Sequence, residues 1–63
     1  MNLKVEDMVN DWDYKFPAGR VVKVDPEGKW FEVAWERADV HYVKRHRAED
    51  LTEKPTEGHL VKV

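Results

Sequence analysis

The sequence predicts an all-β domain, a small barrel of about five bent antiparallel strands. Stretches rich in β-branched and aromatic residues are separated by compact turn signals, and no window carries a sustained apolar repeat of 3.6 residues. A chain of 63 residues forms one domain with a thin core. Three Trp, two Tyr and two Phe supply large apolar areas for that core.

The N-terminal half predicts two strands joined by a long loop. A polar turn at residues 6–7 leads into the first strand at residues 8–9. Acidic and aromatic residues then alternate through a loop at residues 11–18. Residues 19–24 are rich in valine and predict the second strand. Because its valines do not alternate strictly, we expect a coiled strand with a bulge near Gly19.

The clearest local signal is the turn Asp25-Pro26-Glu27-Gly28, since Pro favours its second position and Gly the left-handed residue that closes a hairpin. The third strand is expected at residues 29–36. Phe31, Val33 and Trp35 share one face of it, and this face is the predicted core.

A fourth strand is expected at residues 40–43, before a basic run at residues 44–47. Residues 48–51 are too few for a stable α-helix and predict a short 3₁₀ turn that directs Leu51 into the core. We therefore assign residues 1–54 to the barrel and residues 55–63 to a C-terminal tail or an additional edge strand.

Four stretches of this pattern, residues 5–9, 19–25, 31–35 and 47–51, resemble the SH3-like barrels, and within them the Tudor-like and KOW-like domains. The first stretch departs from the commonest family form at Glu6, where glycine is frequent. The resemblance implies an SH3-like fold and a binding role. Members of the group bind RNA, DNA, peptides or methylated residues, so it constrains fold more than function.

The first candidate site is the aromatic first loop with the adjacent third and fourth strands. In Tudor-like domains the corresponding loop contributes rings to a cage for a methylated cation, and the resemblance implies this option here. A groove for an apolar or proline-bearing peptide is a second option. The third is structural: the loop covers one end of the barrel and Trp35 is central core. The candidate ligand-binding residues are Trp12, Asp13, Tyr14, Phe16, Trp35 and Tyr42.

The second candidate site is the basic run, Lys44, Arg45, His46 and Arg47. Its cations could neutralise the phosphates of RNA or DNA while exposed rings stack on bases. If the run is a strand, Lys44 and His46 face one way and Arg45 and Arg47 the other. The structural alternative is a solvated connection that balances thirteen acidic residues.

Composition narrows the class of function. The chain has no Cys and no Ser, which removes the usual nucleophiles and the thiolate ligands of zinc. We therefore expect a non-enzymatic binding module without cofactor or metal. A net charge of −2 argues against a protein that coats DNA. A protein or peptide is the favoured partner, and nucleic acid is the alternative.

The remaining expectations concern location and assembly. There is no apolar run of the length that a signal peptide or membrane span needs, so we expect a cytoplasmic protein without membrane contact. Exposed strand edges of a half-closed barrel allow either a monomer or a weak homo-oligomer by edge pairing.

Overall fold

The computed structural model describes residues 2–13 and 17–63 and confirms the all-β class. Six strands form one mixed sheet in the order β4-β3-β2-β1-β6-β5. Neighbouring strands are antiparallel except for β5 and β6, which are parallel. The strands are β1 (Met8–Asp11), β2 (Gly19–Val24), β3 (Trp30–Arg37), β4 (Val40–Arg47), β5 (Leu51–Thr52) and β6 (Leu60–Lys62).

The ends of the sheet differ from the prediction. β6 lies inside the sheet between β1 and β5, rather than in a tail or at an edge. Its parallel pairing with β5 departs from the expected antiparallel arrangement. Leu60 and Val61 are both buried, and this apolar pair accounts for the inclusion of β6. Within the described residues the sheet does not close into a barrel, because β4 and β5 remain its two edges.

The bulge in β2 lies at Val22 rather than near Gly19. Val21 pairs with Val33 and Lys23 pairs with Glu32, so Val22 is the additional residue. Gly19 has a different role, because a Cβ at this position would overlap Val33 Cγ1 and lie 2.7 Å from Trp35 Cε3. Glycine is therefore required there by close packing.

Two tight turns connect the strands that follow. The predicted turn at residues 25–28 is confirmed: the Gly28 N–H donates to the Asp25 carbonyl at 2.8 Å, and Gly28 has a φ of 73°. The connection between β3 and β4 is the two-residue turn Ala38-Asp39, with φ values of 48° and 65°. Positive φ at both residues is the type I′ hairpin geometry. The predicted 3₁₀ turn is also present, at Ala48–Asp50.

The core lies on one side of the sheet, which we call the inner face. The predicted face of β3 is confirmed, since Phe31, Val33 and Trp35 are all buried. Leu51 is half-buried and packs against this core. Trp30, Glu32, Ala34 and Glu36 project from the opposite side, the outer face. Among the described residues, no helix has the length and apolar character needed to span a bilayer.

Candidate binding edge and pocket

The fourth strand offers a free edge. It pairs with β3 at eight consecutive positions without a bulge and ends the sheet. Arg37 and Val40 flank the two-residue turn, and residues in that position form a hydrogen-bonded pair. Hydrogen-bonded and non-hydrogen-bonded pairs alternate along an antiparallel ladder. The backbone N–H and C=O groups of His41, Val43 and Arg45 therefore point away from β3. In residues 2–13 and 17–63 no strand pairs with these groups. We call them the β4 edge.

Apolar side chains are exposed along the same strand. Val40 is 57% exposed, Tyr42 42% and Val43 59%. A long edge strand with exposed apolar side chains and unpaired backbone groups is a template for another strand. The β4 edge therefore has the chemistry of a docking surface.

A pocket of about 450 Å³ lies against the inner side of β4. Trp12, which is 40% exposed, forms part of its wall, and we call it the Trp12 pocket. The pocket fills the gap between β4, the end of β1 and the start of β6. It is lined by Asp11, Trp12, Asp13, Lys44, His46, Asp50, Gly58, His59 and Leu60.

The Trp12 pocket joins residues from both predicted sites. Trp12 and Asp13 come from the first loop, whereas Lys44 and His46 come from the basic run. The sequence places these two groups about thirty residues apart, and only the curvature of the sheet brings them together. Tyr14 and Phe16, also predicted for this site, lie outside the described residues.

Trp35 and Tyr42 occupy a different position. They stand directly opposite each other on β3 and β4 and line a second depression of about 390 Å³. Trp35 is only 4% exposed, which corresponds to the structural alternative of central core. Tyr42 is the member of this pair that a partner could contact.

His46 ties the pocket wall to the core. The Trp35 indole N–H donates to His46 Nε2 at 3.0 Å, and the His46 ring stacks on Phe31 with centroids 5.6 Å apart. Burial lowers the pKa of His46, and the neighbouring Lys44 ammonium lowers it further. A neutral ring that accepts through Nε2 carries its proton on Nδ1. His46 is therefore a rigid neutral element of the pocket wall.

The acidic groups of the pocket have cationic partners. Asp11 pairs with Arg37 at 3.2 Å, and Asp50 pairs with Arg47 at 3.4 Å. No cluster of three or more His, Asp or Glu suited to a metal ion occurs in the described part of the chain. Three acidic side chains and one basic one, Lys44, therefore line the pocket, and Arg37 and Arg47 balance two of the three carboxylates.

The basic run is divided between the two faces, as strand alternation predicts. Lys44 and His46 line the inner pocket, whereas Arg45 lies on the outer face with its Cζ 3.9 Å from the centroid of the Trp30 ring. Lys23 Nζ lies 5.7 Å from the same centroid. The sequence prediction omitted Trp30 from the site. Strand alternation places Trp30 on the outer face with Glu32, but it does not show which residues of β4 lie beside them.

Comparison with known proteins adds no relative. No family model, curated protein or solved structure matches this chain. The function proposed below therefore rests on the geometry and charges of the edge and the pocket.

Proposed function

We propose that this chain is a non-enzymatic module that binds an extended segment of a protein partner along the β4 edge, beside the Trp12 pocket. The observation that carries the proposal is the unpaired edge of an eight-residue strand with exposed apolar side chains. In this mode of recognition the main chain of the partner supplies hydrogen bonds, and pockets beside the edge select its side chains.

The surroundings of the edge support this mode of binding. Trp and Tyr are frequent interface anchors because they bury a large area with few rotatable bonds. Here Trp12 and Tyr42 are both partly exposed beside β4. The hydrogen bond from Trp35 to His46 fixes the strand from the inner side, which reduces the entropy lost on binding.

We also infer that the open sheet belongs to the SH3-like group, near the Tudor-like and KOW-like domains. Glu6 supports this assignment, since its φ of 82° is a conformation that glycine favours, at the position where those domains frequently carry glycine. The 3₁₀ turn at Ala48–Asp50 is a second supporting feature. The proposed module requires neither a cofactor nor a metal.

A selection from a random peptide library displayed on phage tests the proposal. Peptides that bind the wild-type chain are measured by calorimetry against Val43→Pro and Val43→Thr. Proline removes one outward N–H without touching the β3 ladder, whereas threonine keeps the N–H and the branched shape. Loss of one hydrogen bond of about 1 kcal/mol predicts binding roughly fivefold weaker for Val43→Pro alone.

Two results would contradict the proposal. If no peptide is selected, or if both variants bind the selected peptides as the wild type does, strand addition at β4 is wrong. Amide chemical shifts provide the map: changes should cluster at His41, Val43, Arg45 and the Trp12 indole. Changes confined to the outer face would place the ligand elsewhere.

Nucleic-acid binding is a second candidate function, favoured by the stack of Arg45 and Lys23 on the Trp30 ring. Cations beside an aromatic ring are typical of surfaces that bind single strands. Binding of oligo-dT should then weaken steeply with salt. Because Arg45 lies on the outer face and Lys44 on the inner one, Arg45→Glu should abolish it and Lys44→Glu should not. Unchanged affinity in Arg45→Glu would remove this candidate.

A further inference from the structure

We propose that the segment bound along the β4 edge carries acidic residues at alternate positions, which face Arg45 and Arg47 on the outer side, and apolar residues between them that face the Trp12 pocket. The inference rests on the proposed function and specifies the chemistry of the partner. The partner is an extended acidic and apolar peptide.

The edge strand β4 carries only positive charges. β4 reads Val-His-Tyr-Val-Lys-Arg-His-Arg and contains no acidic residue, although the whole chain has a net charge of −2. Arg45 and Arg47 project from the outer face, where Trp30 and Lys23 also lie. An added strand would place every second side chain beside these cations.

The inner side imposes the opposite preference. Asp11, Asp13 and Asp50 outnumber Lys44 among the charged side chains that line the Trp12 pocket, so a carboxylate that faced inward would meet more like charges than opposite ones. An apolar side chain there would instead contact Trp12 and Leu60. The two faces therefore favour a bound segment whose side chains alternate, with acidic side chains toward the outer face and apolar side chains toward the inner face.

The outer cations remain accessible to a partner. The Arg45 side chain is 55% exposed and pairs with Glu32 at 3.3 Å. The Arg47 side chain is 72% exposed and pairs with Glu49 at 3.1 Å and with Asp50 at 3.4 Å. Ion pairs at this exposure are weak and screened by salt. A guanidinium has five N–H donors, so it can donate to a further carboxylate without losing those that it already binds.

A second copy of the chain fits the edge less well. In a full antiparallel overlap of two β4 strands, the basic run of each copy would lie beside residues 40–43 of the other, which include no acidic residue to balance it. An acidic segment in the same place would supply the opposite charges that stabilise cross-strand pairs. Charge complementarity therefore favours an acidic partner segment over self-association.

Three capped peptides test the inference: Glu-Phe-Glu-Val-Glu-Phe, and the same sequence with Gln or Lys in place of Glu. The wild-type chain should bind the acidic peptide roughly tenfold more tightly than the Gln peptide, since each exposed pair adds a few-fold. The Arg45→Glu, Arg47→Glu double variant should reverse the order and prefer the Lys peptide. Lys4→Glu with Lys54→Glu makes the same change in net charge away from the edge and should leave the order unchanged.

Several outcomes would overturn the inference, and they are distinguishable from failure of the proposed function. If the three peptides bind equally, or if none of them binds, the proposed preference for acidic residues is wrong. The selected library peptides can also lack acidic residues and yet bind Val43→Pro more weakly than the wild type. In that case the edge does bind a strand, and only the preference for acidic residues is wrong. A dimer in sedimentation that Val43→Pro dissociates identifies a second copy as the occupant. Oligo-dT binding without acidic-peptide binding identifies nucleic acid instead.

Discussion

Replacing Gly19 with alanine should strongly destabilise the fold. The added Cβ would overlap Val33 Cγ1 and would lie 2.7 and 2.8 Å from Trp35 Cε3 and Cζ3. Neither neighbour can move aside easily, because Val33 is fully buried and Trp35 is 4% exposed. The Trp35 ring is also held by its hydrogen bond to His46. The strain must therefore be taken up by the backbone of β2.

The size of the effect follows from packing. Overpacked cores lose typically 1–3 kcal/mol, and contacts with two buried side chains place this substitution near the upper end, at about 2–3 kcal/mol. At roughly 0.05–0.15 kcal/mol per residue, a domain of this length has a total stability of only about 3–9 kcal/mol. Since 1 kcal/mol corresponds to about 4–8 °C in a small domain, Tm should fall by roughly 10–20 °C.

Urea unfolding followed by circular dichroism measures the change in the free energy of unfolding. Gly58→Ala is the matched control, because a Cβ there meets nothing within 4 Å and the cost comes only from its φ of 81°. That cost should be about 1 kcal/mol. A double-mutant cycle with Val33→Ala tests the mechanism directly, since removing the Val33 methyl groups provides room for the new Cβ.

Two results would refute the reasoning. One is a Gly19→Ala variant within about 0.5 kcal/mol of the wild type, a range expected only of substitutions away from the core. The other is strict additivity of Gly19→Ala and Val33→Ala, which would show that the two sites do not share the strain.

Two further predictions concern a turn and a titration. Ala38→Gly should raise the free energy of unfolding by about 1 kcal/mol in urea melts, because Ala38 has a φ of 48° that glycine adopts without strain; no gain would contradict a type I′ turn. The lowered pKa of His46 means that the folded state binds its proton more weakly than the unfolded state, which titrates near 6.5. Stability should therefore be complete above about pH 6.5, decline as the pH falls toward the lower native pKa, and then level off. His46→Gln should lack this decline in urea titrations between about pH 5 and 7, and an identical profile in both proteins would show that His46 is not responsible.

The parts of the fold that the sequence predicted depend on local chemistry. Pro26 and Gly28 define their turn within four residues, and alternation along β3 identifies the buried face without knowledge of its partners. β6 was harder to predict from the sequence, because Leu60 and Val61 are consecutive and both buried. Such a pair has no period of two, and its parallel pairing with β5 depends on tertiary packing.

The candidate site was predicted in pieces. Trp12 and Lys44 were each identified, but as members of separate sites, since sequence spacing does not show that a bent sheet makes them neighbours. Trp30 was assigned to the correct face and yet left out of the site. Its contact with Arg45 depends on the register of β3 and β4, which a single strand does not determine.

The position of β6 also has a consequence for how the chain folds. β2, β3 and β4 form a meander of hairpins whose contacts are close in sequence, whereas β1 meets β6 through Val9 and Lys62. Pairs so distant in sequence carry a larger loop-closure entropy and slow the folding of small domains. We therefore expect the meander to form first and the docking of β6 against β1 to limit the rate. Stopped-flow kinetics of Val61→Ala should then show slower folding with little change in the unfolding rate.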